Sequence, residues 1–194
     1  MNVPPIKLIV GLGNPGPDYA ATLHNAGAWL VETLAKQEGA SFQIEAKFFG
    51  QVTKVAIGPH PCWLLLPSTY MNLSGKSVGA LSHFYRLEPS EILVVHDELD
   101  LPVGTVRLKH GGGAGGHNGL TSLFSSLQSQ DFIRLRIGIG RPATAQPTVN
   151  YVLARPTLDE KISIDNSIDS ALKILPDLAK GELHKAMKAL HTAK

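Results

Sequence analysis

Four short apolar runs, IKLIVGLG, CWLLLP, EILVVHDEL and FIRLRIGIG, constrain this 194-residue chain most strongly. Each is rich in branched aliphatic residues and too brief for a helix. The first and third lack the polar alternation of a strand with one wet face, so they read as strands buried on both sides. Such strands need helices packed above and below a sheet. Helical spacing does fall between the runs. Leu23, Ala26, Leu30, Val31 and Leu34 lead to Gly39; Val78, Leu81 and Tyr85 share one side of SGKSVGALSHFYRL; HNGLTSLFSSLQ follows a glycine run. FFGQVTKVAIG reaches CWLLLP through the turn GPHP, and GTVRLKH reads as an exposed strand. TLDE, at Thr157 to Glu160, is a capping box. It opens a helix carrying Ile164, Ile168, Ala171, Leu172 and Leu175, which Pro176 bends or ends, and a basic amphipathic helix closes the chain. The expected fold is a single α/β domain over residues 1–194, a twisted mixed β-sheet flanked by helices. Residues 140–156, GRPATAQPTVNYVLARP, form the one long irregular stretch and are expected to act as a flexible lid.

A hydrophobic fraction of 43% supports a substantial core. No window approaches the ~18 consecutive apolar residues of a membrane span, and Ile6 to Val10 is too short for a signal sequence. A cytoplasmic protein without membrane contact is expected. Cys62 is the only cysteine, so no internal disulfide forms, and its apolar setting suits a buried thiol. The net charge of +2 is uninformative, but its distribution is not. Residues 103–118 hold Arg107, Lys109, His110 and His117 with no acid. Residues 132–156 hold Arg134, Arg136, Arg141 and Arg155 with no acid. Lys180, Lys185, Lys188 and Lys194 crowd the C-terminus against Glu182. Basic charge is segregated, as an anionic partner requires.

Gly11, Gly13 and Gly16 match the dinucleotide fingerprint G-x-G-x-x-G. That fingerprint needs a helix starting inside the motif and an acid about 20 residues on, at the end of the next strand. Here Pro15 and Pro17 break the backbone, and Glu32 and Glu38 fall in the helix. SGKS at Ser74 to Ser77 resembles the end of a phosphate loop, but Tyr70 stands where its first glycine belongs, so Lys76 is an ordinary first-turn lysine. None of the eight histidines forms a metal-binding pair on a helix face; His96, Asp97 and His117 are the one set that offers three ligands.

Polar residues recur instead where apolar strands end, which is where sites gather in open α/β sheets. Asn14 follows the first strand, Asn72 follows CWLLLP, and Asp97 ends ILVVHD. His24 opens the first helix, and His117 and Asn118 follow GGGAGG. The glycine run lets backbone approach a ligand and should aim amide N–H groups at a phosphate or an oxyanion.

GLGNPGPDYAATLHNAG, PSTYMNLSG, VVHDELDLPVG, RLKHGGGAGGHNGL and RLRIGIGRP, in this order, resemble the motifs of the bacterial peptidyl-tRNA hydrolase family from near residue 6 to about 155. The resemblance implies hydrolysis of the ester between a peptide and the 3′ ribose of tRNA, releasing both. It implies a catalytic set of His24, Asp97 and Asn14: His24 as the base that deprotonates water, Asp97 orienting its imidazole. It implies that Asn14, Asn72 and Asn118 grip the peptide and terminal nucleotide, and that Tyr19, Tyr70 and Met71 lie near the 3′ end with His117 beside them. Lys109 and Arg136 match positions that bind tRNA phosphate. Peptidyl-tRNA and water are the expected partners of a monomer with no cofactor and no metal. Two other readings stay open: a relative that binds RNA without hydrolysis, and a metal-dependent hydrolase built on His96, Asp97 and His117.

Overall fold

The computed structural model describes residues 2–192, so Lys194 of the basic C-terminus lies outside the described residues. Four parallel strands form the centre: β1 (Leu8–Gly11), β4 (His60–Pro67), β5 (Ile92–Glu98) and β7 (Ile133–Gly138). β2 (Gln43–Glu45), β3 (Gly50–Ile57) and β6 (Val106–His110) pair antiparallel outside them. The sheet order is β2-β3-β4-β1-β5-β7-β6.

The period of two sorts the buried residues onto two faces. Ile9, Leu93, Val95 and Leu135 pack against α1 (Ala26–Gln37), α5 (Leu158–Leu172), α6 (Leu175–Ala179) and α7 (Leu183–Thr192). Leu8, Val10, Ile92 and Val94 pack against α2 (Ser74–Phe84) and α3 (Asn118–Leu127). Each such side chain contributes roughly 1.5–3 kcal/mol relative to exposure, which is why β1 and the first four residues of β5 carry no polar face. α1 lies close on the sheet because residue 27 is glycine: a Cβ there would sit 2.1 Å from the Val95 carbonyl oxygen. That close approach carries the residues just before α1 to the end of β5. The sheet and its two helical layers are the α/β architecture expected from the sequence.

Several elements differ in detail. The stretch from Leu23 opens as a 3-10 turn, Leu23–Asn25, and α1 begins only at Ala26, because the Asn25 side chain is engaged elsewhere. α2 stops at Phe84, so Tyr85 lies outside it and stacks on Trp63 at 4.6 Å. α5 ends at Leu172; Leu175 starts a new helix with Pro176 in its first turn, a position that needs no N–H partner. β2 carries no sequence signal, being three residues long with Ile44 84% exposed. GTVRLKH is an edge strand but not an exposed one. Val106 and Leu108 are buried, and α7 covers the free edge, where His191 Nε2 accepts from the Leu108 amide at 3.0 Å. Residues 140–156 are not wholly irregular, since they contain α4 (Thr148–Val152). Of the expected capping box only the forward half forms: Thr157 Oγ1 accepts from the Glu160 amide at 3.2 Å, while Glu160 Oε1 accepts from the Thr157 hydroxyl at 3.0 Å and not from its amide. Cys62 is buried, and burial pushes its thiol up to about 12. Among the described residues, no helix is long and apolar enough to cross a membrane.

Candidate active site

Asp97 is the penultimate residue of β5, its side chain almost wholly out of water, and two histidines meet it from opposite layers. His24, in the turn before α1, places Nδ1 2.8 Å from Asp97 Oδ2. His117, the N-cap of α3, places Nε2 2.8 Å from Asp97 Oδ1. A carboxylate only accepts hydrogen bonds, so each facing nitrogen carries a proton. His117 Nδ1 in turn accepts from the amides of Gly119 at 3.1 Å and Leu120 at 3.4 Å. Both nitrogens of His117 are thereby committed in the neutral form. Of these two histidines, His24 is the one that keeps a ring nitrogen, Nε2, free to take a proton.

The charges follow from this geometry. Burial alone raises the pKa of Asp97, but the two imidazoles outweigh it and hold the carboxyl well below the usual range. Burial disfavours protonated His24, yet the Asp97 charge and hydrogen bond win, and its pKa is raised above 6.5. His96, one residue earlier on β5, points to the α3 side and stays neutral. Burial, His117 and Arg134 push it down to about 3.

Asn14 sits in the turn after β1, and that turn is held by a residue not singled out from the sequence. The Asn25 side chain accepts from the Asn14 amide and donates to the Asn14 carbonyl, both at 2.9 Å. The glycine at 13 makes room for it, since a Cβ there would lie 2.9 Å from the Asn25 side chain. Asn14 Oδ1 accepts from the Met71 amide at 2.7 Å, so its remaining hydrogen-bonding capacity is the Nδ2 donor group. Gly13 thus lets the Asn25 side chain close the turn that presents Asn14.

These groups open on a cavity of about 260 Å³ lined by Asn14, His24, Tyr70, Met71, Asn72, Asp97, His117 and Asn118. Tyr19 is not in that lining; it meets Tyr70 edge-on, with ring centroids 6.1 Å apart. Lys109 and Arg136 are also outside it, on β6 and β7. Pairing of Lys109 with Arg134 and of Arg107 with Arg136 puts all four cations on one face of the sheet. His96, Glu98, Thr148 and Ala114 to Gly116 also line the cavity, with Leu99 and three apolar residues from α4 and its C-cap, Val149, Val152 and Leu153. The i, i+3, i+4 spacing of those three apolar residues is the signal that marks α4 in the sequence.

One expectation is corrected, and another is narrowed. Beyond the glycine run, the α3 amides of Gly119 and Leu120 are already taken by His117 Nδ1, and within it the Gly111 amide donates to the Phe132 carbonyl. Two glycine carbonyls are engaged as well: Arg134 donates to Gly113 O at 2.5 Å and to Gly112 O. The three-ligand set is also different. His24, Asp97 and His117 bring their donor atoms within 4.8 Å of one another. His96 turns its Nδ1 to the Asp97 carbonyl at 2.8 Å. In the set that does assemble, protons already occupy the two histidine–aspartate contacts, so an ion would have to displace both.

A sequence profile of the peptidyl-tRNA hydrolase family matches residues 8–194. The peptidyl-tRNA hydrolase of Chromohalobacter salexigens is 53% identical over 188 residues, 96% of this chain and 97% of its own. That of Nitrosospira multiformis is 52% identical over 189 residues, 97% of this chain and 99% of its own. The crystal structure of peptidyl-tRNA hydrolase from Acinetobacter baumannii superposes with a TM-score of 0.94 at 46% identity, covering 97% of this chain and 96% of that one.

Proposed function

The chain belongs to the peptidyl-tRNA hydrolase family, and from that premise we propose that it cleaves the ester joining a peptide to the 3′ ribose of tRNA, with His24 as general base. The observation that supports this most is the His24–Asp97 contact: Nδ1 is committed to Asp97 Oδ2, which leaves Nε2 at the cavity wall as the acceptor. His24 Nε2 takes a proton from water as the water oxygen bonds to the ester carbonyl carbon. The carbonyl oxygen becomes an oxyanion. The tetrahedral adduct then expels the ribose 3′ oxygen, which recovers the proton from the imidazolium. Asp97 stabilises that imidazolium without taking its proton. The Nδ2 group of Asn14, with Asn72 and Asn118 on the same wall, supplies neutral donors for the oxyanion and the peptide amide. A base contributes about 10²–10⁴-fold and one oxyanion donor about 10²–10³-fold. An ester, already activated, needs no more than this.

Tyr19, Tyr70 and Met71 hold the 3′ terminus, with His117 beside them. Lys109 and Arg136 hold phosphate away from the ester, and residues 140–156 close over the substrate as a lid. In this reading the enzyme works as a monomer, in the cytoplasm where peptidyl-tRNA arises, and recycles tRNA from abandoned translation. The test is incubation of the protein with N-acetyl-aminoacyl-tRNA in the presence of a chelator. Chelator-resistant release of free tRNA and acylated amino acid is expected; tight binding without release would favour an RNA-binding protein instead, and loss of release on chelation a metal-dependent hydrolase.

A further inference from the structure

Beneath the site lie three buried nitrogens that the reaction does not use. His96 is 2% exposed and Arg134 is 2% exposed. His96 Nε2, Arg134 Nε and Arg136 Nε are each shielded from solvent and have no hydrogen-bond partner within the protein. The strand register brings their residues together. His96 pairs directly with Arg136 across β5 and β7, and Arg134 is two residues along on the same face. Their chemistry is also complementary. His96 Nδ1 faces the Asp97 carbonyl, which only accepts, so Nδ1 carries the ring proton and Nε2 is a bare acceptor. Each arginine Nε is a donor. Buried polar groups are almost always satisfied, and a buried water typically makes about three hydrogen bonds. One acceptor and two donors match a single water that accepts two N–H groups and donates one O–H.

We propose that His96, Arg134 and Arg136 enclose one structural water and that His96, through it, is a positioning residue for Asp97 and His117. His96 touches both of them. Its Nδ1–H holds the Asp97 carbonyl at 2.8 Å, and its ring meets His117 edge-to-face with centroids 5.1 Å apart. Arg134 holds the carbonyls of Gly112 and Gly113, in the loop that carries His117. The water joins these two supports into one unit behind the carboxylate. A histidine suits this place because it is a neutral acceptor beside two guanidinium groups; a carboxylate there would compete with Asp97 for the imidazoles, and an apolar residue would leave both N–H groups unpaired.

The inference rests on the reading of His24 and Asp97 given above. It is tested by a cycle of His96→Leu and Arg134→Lys, each alone and combined, with His96→Gln as the conservative variant. The readouts are kcat for N-acetyl-aminoacyl-tRNA, its pH profile and thermal stability. His96→Leu is expected to lower kcat about tenfold and to shift the acid limb of the profile, because Asp97 no longer holds His24 at its wild-type pKa. His96→Gln, which keeps an acceptor near the Nε2 position, is expected to recover most of both. Arg134→Lys keeps the charge but removes the Nε donor, so its effect and that of His96→Leu are expected to overlap, the double variant losing at least about threefold less than the product of the two. Additive losses, or equal activity of the Leu and Gln variants, would overturn the inference. If His96→Leu does not fold, the cycle is run with His96→Phe, which keeps a ring but has no acceptor, and additivity decides it. A wild-type protein that releases no tRNA would refute the hydrolase reading; an active wild type with an additive cycle refutes only this one.

Discussion

His117 and Asp97 are joined by a 2.8 Å hydrogen bond whose donor is also the cap of a helix. The same imidazole accepts from two amides of α3 through Nδ1 and donates to the carboxylate through Nε2. The start of α3 therefore fixes one oxygen of Asp97, and the other is left for His24.

Capping and carboxylate positioning separate in His117→Asn. Asparagine caps helices well, whereas loss of a cap to alanine costs about 0.5–2 kcal/mol. His117→Asn should keep the urea midpoint near wild type yet lower kcat, because its shorter side chain does not span to Asp97 Oδ1. His117→Ala should lower both. Equal unfolding midpoints for the Ala and Asn variants would show that the cap contributes nothing.

The pH dependence has a fixed sign. As the proposed base, His24 must be neutral to act, and its folded pKa is raised above 6.5 by Asp97 against the opposing effect of burial. kcat should therefore rise through that raised value. Asp97→Asn removes the carboxylate charge and leaves burial, so the acid limb should move to lower pH while the plateau falls. The pair also stabilises the fold below about pH 6.5, and this contribution is lost as pH rises through the folded pKa. A kcat profile of Asp97→Asn with an unmoved acid limb would contradict the assignment.

Gly27→Ala tests how the fold delivers His24. The added Cβ would lie 2.1 Å from the Val95 carbonyl oxygen, a backbone atom that does not rotate away. α1 must back off from β5, at a cost of about 1–3 kcal/mol. Chemical denaturation should show that loss, and kcat should fall with it because the turn holding His24 moves as well.

Much of this was legible in the chain. Strands buried on both faces must sit inside helical layers, and Asp97, His24, Asn14 and His117 stand at the boundaries where apolar pattern stops. What was hidden depends on through-space partners. Asn25 looks like one more polar residue of a helix start, and only the fold shows it holding Asn14. Arg134 reads as one of several strand arginines, and only the path of the glycine loop gives it carbonyls to bind. β2 has no pattern because pairing with β3, not burial, makes it a strand.

Lys109 should contribute to binding and not to chemistry. It lies outside the cavity on the cationic face of β6 and β7, so the proposed hold on phosphate would be equal in ground and transition states. Lys109→Ala should raise KM for full-length peptidyl-tRNA and spare kcat. The plot of log affinity against log salt should flatten by roughly 0.7–0.9 when a single phosphate is no longer neutralised. An unchanged salt slope would place Lys109 outside the interface.

The central claim, that His24 is the base, is tested most directly by kcat of His24→Ala on N-acetyl-aminoacyl-tRNA at saturating substrate, with tRNA affinity measured alongside. Loss of a general base predicts a fall of about 10²–10⁴-fold in kcat, with affinity within a few-fold of wild type. A kcat close to that of the unaltered enzyme would remove His24 from the chemical step and contradict the account.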